Sequence, residues 1–119
     1  MHELSIAVAL AEQIETVVSK EHATRARRVV IAVGSLSGVE AEALQGVFPL
    51  VTEGTASEGA ELVIESVAAR VRCRACGQDS PMDGCFMKCV QCGSLDVELS
   101  AGRELHITSV ELFFDERKT

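Results

Sequence analysis

Four cysteines in this 119-residue chain form two pairs whose spacing is typical of a metal site. The segment CRACG contains Cys73 and Cys76, and CVQCG contains Cys89 and Cys92, with twelve residues between the pairs. A CxxC turn can direct both of its sulfurs at one ion, and two such turns supply the four ligands of a closed tetrahedral zinc site. Iron–sulfur ligation and a redox dithiol are the alternatives that these residues allow.

A site of four thiolates leaves no open position for a substrate, so its predicted role is structural. A segment of about 20 residues builds no adequate core of its own, and a bound ion replaces that core. Gly77 and Gly93 follow the two pairs, where the turn of a knuckle favours a left-handed residue. Cys85 lies outside both pairs. It is either a spare, partly buried thiol or an exchangeable ligand or redox-sensitive thiol near the zinc.

A second group of possible ligands lies at the start of the chain, MHELSIAVAL. His2 stands beside the α-amine of Met1, a group that occurs once per chain. The amine, the His2 backbone nitrogen and the imidazole can bind one ion through adjacent chelate rings, a nitrogen-rich set that suits Ni(II) or Cu(II). The competing interpretation is a solvated chain end with no function. Glu3 also has a possible role as an acidic residue in the first turn of a helix.

The hydrophobic periodicity predicts the elements that must position these two sites. Residues 3–21 carry apolar side chains at three- and four-residue spacing, which predicts a helix. The β-branched run from Arg28 to Val33 predicts a strand. Ser37 and Glu40 form a capping-box pattern before a second apolar stripe that ends at Val51, which predicts a second helix.

Further strands are predicted on both sides of the cysteine pairs. One or two run from Glu61 to the first cysteine, and two follow the last cysteine, separated at Ala101 and Gly102. This order predicts an α+β fold with a short, mainly antiparallel sheet covered by two helices and an inserted four-cysteine, zinc-ribbon-like module. The predicted domains are an α/β domain of residues 1–70 plus 103–119 and a zinc-binding domain of residues 71–102.

Composition and charge narrow the function classes. A formal charge of −7 argues against nucleic acid as the main partner, because phosphate binding needs a basic face. The apolar stretches are shorter than the roughly 18 residues that cross a bilayer, which argues against a membrane protein. The chain start lacks the basic region of a signal peptide, so we expect a cytoplasmic protein. In a reducing compartment, five cysteines favour metal or redox chemistry over disulfides.

The start MHELSIA, the two CxxC pairs and the segment GRELHITSVEL together resemble the HypA/HybF family of hydrogenase maturation factors, which are nickel metallochaperones. The resemblance covers essentially the whole chain. It implies that residues 1–70 plus 103–119 form a nickel-binding α/β domain. It further implies that Ni(2+), a transient cargo, binds the Met1 amine, His2 and the backbone nitrogens of His2 and Glu3. The cysteines that it implies as ligands of a structural Zn(2+) are Cys73, Cys76, Cys89 and Cys92.

The resemblance also implies a function and partners. Such a protein delivers nickel with the HypB GTPase to the large subunit of [NiFe]-hydrogenase, and some members serve urease. We expect no enzyme, since the sequence has no phosphate-binding loop or catalytic set, and we expect a monomer or homodimer. Two alternatives come from the cysteines: a zinc-ribbon module that binds nucleic acid or protein, and a thiol oxidoreductase that uses CxxC.

Overall fold

The structure is a computed structural model and describes residues 3–84 and 86–115. This part of the chain contains two helices and six strands, of which the last five follow one another, and the predicted α+β fold is confirmed. In chain order they are α1 (Glu3–Lys20), β1 (Arg25–Gly34), α2 (Ala41–Thr52), β2 (Glu61–Val67), β3 (Arg70–Cys73), β4 (Asp79–Pro81), β5 (Val97–Ala101) and β6 (Leu105–Phe113). Neither helix of the described residues is long and apolar enough to cross a membrane.

The chain forms two compact units. The first, here the helical unit, contains the described residues up to Ile31, residues Val39–Glu65 and the described residues from His106 onward. The second, here the cysteine unit, contains Ala32–Gly38 and Ser66–Leu105. Whether residues 71–102 fold as a domain of their own stays a prediction.

In the helical unit, α1 and α2 pack against each other. The spacing that predicted α1 matches its buried face, because the buried positions recur every three or four residues. The buried apolar residues of α1 are Ala7, Leu10, Ala11, Ile14 and Val18. Leu44 and Phe48 of α2 and the alternating Val29 and Ile31 of β1 complete a largely aliphatic core. None of the four cysteines that the structure describes belongs to this core.

Strands β2, β1 and β6 form a three-stranded sheet in that order. Strands β1 and β6 are antiparallel. The Thr24 N–H, before β1, donates to the Phe113 carbonyl at the end of β6, and the Gly34 N–H, at the end of β1, donates to the Glu104 carbonyl just before β6. An Arg28–Glu61 ion pair lies at the start of β2 and a Ser35-to-Val67 hydrogen bond at its end, so β1 and β2 run parallel. The α2 crossover provides the connection that a parallel pair needs.

The start of α2 differs from the sequence prediction. The helix begins at Ala41, and its N-cap, Glu40, makes no side-chain cap hydrogen bond, so the capping box of Ser37 is wrong. Ser37 instead lies in a turn, because its N–H donates to the Gly34 carbonyl and Gly38 has a φ of 81°. The acceptor for the Glu40 N–H is the Glu3 carboxylate of α1, at 3.0 Å. A residue 37 positions away therefore stabilises this helix start.

The cysteine unit has its own three-stranded sheet, β4-β3-β5, in which both pairs are antiparallel. Its small core contains Val71, Cys73, Cys89 and Val97. Alternate β3 residues Arg70 and Arg72 are exposed on the other side. The sheet therefore has one apolar face, and two of the four paired cysteines belong to its core.

Gly34 and Gly102 cross at close range in the cysteine unit. A Cβ atom added to Gly34 would lie 2.1 Å from the Gly102 carbonyl oxygen. Beside the crossing, the Leu36 N–H donates to that same oxygen at 2.7 Å, and the Gly34 N–H donates to the Glu104 carbonyl at 2.8 Å. Gly102 follows β5 and precedes β6. The crossing therefore holds in place the end of the segment that carries the cysteines.

Candidate metal centre

The two CxxC segments fold into nearly identical knuckles. In the first, the Cys73 N–H donates to the Gln78 carbonyl at 2.9 Å, and the Gly77 N–H donates back to the Cys73 carbonyl at 2.9 Å. In the second, Cys89 makes the matching hydrogen bonds with Ser94 and Gly93 at 2.9 and 2.8 Å. Gly77 and Gly93 both have a φ of 78°, as the sequence predicted. A side chain is disfavoured at that φ, so glycine completes each turn without strain.

The knuckles bring the four cysteine sulfurs together. All four Sγ atoms, of Cys73, Cys76, Cys89 and Cys92, lie within 4.8 Å of one another, and all four thiols are free. The Sγ atoms of Cys73 and Cys92 are 3.6 Å apart. Those of Cys76 and Cys89 are also 3.6 Å apart.

This donor set fits one tetrahedral zinc ion. Four sulfurs at about 2.3 Å from zinc would be about 3.8 Å from each other, close to the observed separations. An iron–sulfur cluster, which holds several iron atoms, would spread its cysteine sulfurs more widely, so the spacing favours a single ion. Zinc there would hold the knuckles together and leave no position for a substrate.

The two cysteines of each knuckle differ in environment. The first ones, Cys73 and Cys89, are 1% and 0% exposed, whereas Cys76 and Cys92 are exposed. The Cys73 sulfur accepts a hydrogen bond from the Cys76 N–H at 3.4 Å. The Cys89 sulfur accepts two, from the N–H groups of Gln91 and Cys92, each at 3.4 Å. Such bonds stabilise a thiolate.

The acidity of the thiols follows the same division. The hydrogen bond from the Cys92 amide, aided by Gln91, lowers the pKa of Cys89 to about 6. The Gln78 amide acts in the same direction on Cys76. However, desolvation of its sulfur and the nearby Cys89 and Cys73 sulfurs raise the pKa of Cys76 to about 12. Four adjacent thiols cannot all ionise without a cation between them, because each new negative charge opposes the next. The arrangement therefore suits a divalent ion.

Two arginines of the cysteine unit form ion pairs with nearby carboxylates. Arg70 Nε lies 2.6 Å from Asp79 Oδ1, between β3 and β4. Arg74 pairs with Asp96 at 3.0 Å and with Glu98 at 3.5 Å. Phosphate groups would have to compete with these carboxylates for the arginines. Arg70 and Arg74 are therefore less available to a nucleic acid than unpaired arginines would be.

The predicted nickel ligands are only partly within the structure. Met1 and His2 lie outside the described residues, as does Cys85. Glu3 is the first residue of α1, and its side chain is buried, at 5% exposed.

The burial of the Glu3 side chain was not predicted, although the sequence contained a signal for it. Glu3 is in phase with Ala7, Leu10 and Ile14, the buried stripe of α1. A carboxylate in that phase indicates a buried partner rather than a solvated helix end. The partner, the Glu40 N–H, could not be identified from local sequence, since 37 positions separate the two residues.

Comparison with known proteins gives consistent results across the chain. The profile of a family described as "Hydrogenase/urease nickel incorporation, metallochaperone, hypA" matches residues 1–112. Among similar proteins is the hydrogenase maturation factor HypA of Chlorobaculum tepidum, 40% identical over 109 residues, covering 92% of this chain and 96% of that protein. The protein of the same name from Aquifex aeolicus is 36% identical over 115 residues, covering 97% of this chain and 100% of its own.

Two solved structures share the fold. The solution structure of a HypA protein superimposes with a TM-score of 0.75 at 25% identity, covering 97% of this chain and 98% of that one. The solution structure of the Ni metallochaperone HypA from Helicobacter pylori gives a TM-score of 0.71 at 24% identity, covering 97% and 100%. At such low identity the second similarity shows the fold alone.

Proposed function

The chain belongs to the HypA family of hydrogenase/urease nickel-incorporation metallochaperones, and from this premise we propose that it carries Ni(II) at its N-terminus and delivers it to the large subunit of a [NiFe]-hydrogenase. Membership confirms both the resemblance and the expectation that the chain is not an enzyme. The family function is nickel incorporation. We propose two further points: that this chain delivers nickel to the large subunit, and that the groups at its N-terminus are the nickel ligands.

The observation that carries the proposal is the match to the nickel-incorporation family over residues 1–112, which include the chain start. The backbone nitrogen of Glu3, at the start of α1, is one of the proposed ligands. In chain order it is preceded by the His2 backbone nitrogen, the imidazole and the Met1 amine, which complete a nitrogen-rich set suited to Ni(II). A terminal site of few protein groups can also release its cargo more easily than a closed cage.

The four-cysteine cluster is proposed to hold a structural zinc ion. Cys73, Cys76, Cys89 and Cys92 supply a donor set whose spacing fits a tetrahedral ion. The zinc would stabilise the cysteine unit, whose own core is small. The ion pairs of Arg70 and Arg74 weigh against the alternative of a ribbon that binds nucleic acid.

The proposed partners are the HypB GTPase and the hydrogenase large subunit, in the cytoplasm. Family membership supports an interaction with the hydrogenase maturation machinery. The net charge of −7 would favour partners with a basic surface, because complementary charge speeds encounter.

A nickel titration tests the proposal. Tag-free, zinc-loaded protein is titrated with Ni(II) by calorimetry, beside His2→Ala and a chain with two residues added before Met1. Both changes should weaken nickel binding at least about tenfold, since each removes a ligand of the chelate. His106→Ala is the matched control, because His106 is exposed on β6 and outside the proposed site. Unchanged affinity in both altered chains would contradict the N-terminal site, provided that their zinc content equals that of the parent.

A further inference from the structure

We propose that ligand exchange at the four-cysteine centre occurs through Cys76 and Cys92, while Cys73 and Cys89 retain the ion. The proposal rests on the zinc site proposed above and concerns how that site opens. The incoming group is a soft donor, a thiolate or an imidazole, from a partner protein or a small molecule. Its basis is the difference between the first and second cysteines, which both knuckles share.

The first and second cysteines of each knuckle differ in their access to solvent. Cys73 and Cys89 are buried and belong to the core that contains Val71 and Val97. An incoming donor would have to displace this core to reach either sulfur. Cys76 and Cys92 are exposed, so a donor can approach them without unfolding the sheet.

Hydrogen bonds to the buried sulfurs also lower their reactivity toward an electrophile. Cys89 accepts hydrogen bonds from the Gln91 and Cys92 amides, and Cys73 accepts one from the Cys76 amide. An N–H donor draws negative charge from a thiolate and makes its sulfur a weaker nucleophile toward electrophiles. These hydrogen bonds also persist when the neighbouring cysteine leaves the ion, because they join a sulfur to the backbone.

Exchange then proceeds as a ligand substitution without a redox change. The sulfur of an incoming thiolate forms a bond to zinc as the bond from zinc to the Cys76 or Cys92 sulfur breaks. The displaced thiolate takes up a proton from water, which becomes hydroxide. Cys73, at the end of β3, stays on the ion, so β3 remains paired with β5 through Cys73 and Val97.

Competitive alkylation tests the order of reaction. Zinc-loaded Cys85→Ser protein, which has only the four paired thiols, is treated with N-ethylmaleimide until less than one label per chain is present. Peptide mass spectrometry then locates the labels. We expect Cys76 and Cys92 to carry at least about fivefold more label than Cys73 and Cys89, because reagent access limits the reaction of the two buried thiols. Equal labelling, or preferred labelling of Cys73 and Cys89, would overturn the proposal.

Zinc release gives a second measurement that needs no alkylation. Matched variants, Cys76→Ser and Cys73→Ser, are loaded with zinc, and its transfer to a chromogenic chelator is followed. Cys76→Ser should retain zinc longer than Cys73→Ser, because it keeps both buried sulfurs. The reverse order would refute the proposal. Purified parent protein without zinc would instead refute the zinc site itself, an outcome distinct from any change in nickel binding at the chain end.

Discussion

Gly34→Ala should destabilise the protein strongly because of the backbone crossing with Gly102. The added Cβ would lie 2.1 Å from the Gly102 carbonyl oxygen and 2.7 Å from the Arg103 nitrogen. Both are backbone atoms, so a rotamer change cannot relieve the contact. The 102–103 segment must move by more than about 1 Å to reach ordinary van der Waals distance.

Such a movement would break hydrogen bonds as well as packing. The bonds from Gly34 to Glu104 and from Leu36 to Gly102 join the two segments. The net loss of two backbone hydrogen bonds costs about 2 kcal/mol, and overpacking alone costs roughly 1–3 kcal/mol. We therefore expect the free energy of unfolding to fall by about 3–5 kcal/mol.

Urea unfolding of zinc-loaded protein measures this effect, with Gly46→Ala as the matched control. Gly46 lies within α2, and nothing lies within 4 Å of a Cβ added there. The same substitution should therefore stabilise the protein by about 1 kcal/mol, the difference in helix propensity. If Gly34→Ala unfolds within about 0.5 kcal/mol of the parent, the described crossing is wrong.

Three further changes have expected outcomes. Zinc removal or Cys73→Ser should abolish the protection of cysteine-unit amides against hydrogen exchange while α1 stays protected, because the helical core contains no cysteine; simultaneous loss in both would refute this division. Glu3→Ala should speed amide exchange at Glu40 in the same assay, whereas Glu3→Gln, which keeps an acceptor oxygen, should have a smaller effect; equal effects would contradict the capping role. A hydrogen bond from the Ser100 side chain, and a second one from Arg70, lower the pKa of Asp79. Its contribution is therefore present above the unfolded-state pKa of about 3.9 and is lost only as pH falls through the lower folded pKa. Asp79→Asn should thus lower the urea midpoint by the same amount at about pH 6 and about pH 8, and a pH-dependent difference would refute this cause.

The parts that the sequence predicted are those encoded by local spacing. Periodicity alone predicts α1, because its packing uses one continuous stripe. The cysteine knuckles are equally local, since each closes within six residues through hydrogen bonds such as that from Cys73 to Gln78. The two CxxC pairs therefore indicate the geometry of the metal centre before the rest of the fold is known.

The parts that the sequence did not predict depend on contacts between distant segments. The start of α2 is stabilised by Glu3, so a local capping pattern at Ser37 predicted the wrong boundary. Strand β4 is only three residues long and contains Pro81, which gives it no strand-like composition. It forms because the first knuckle returns the chain alongside β3, where Ser80 pairs with Val71.

The two proposed metal sites require opposite properties, and the position of each in the sequence fits its requirement. A structural ion must stay bound, and the cysteine sulfurs meet this need through two buried ligands and amide hydrogen bonds that stabilise thiolates. A cargo ion must leave, so its ligands should involve little of the folded core. The Glu3 carboxylate accepts the hydrogen bond of the Glu40 N–H, and the proposed nickel ligands lie at the chain start beside it in sequence. Nickel bound by these terminal groups would be released without disturbing the core of the cysteine unit, whereas complete release of zinc would require the core around Cys73 and Cys89 to open.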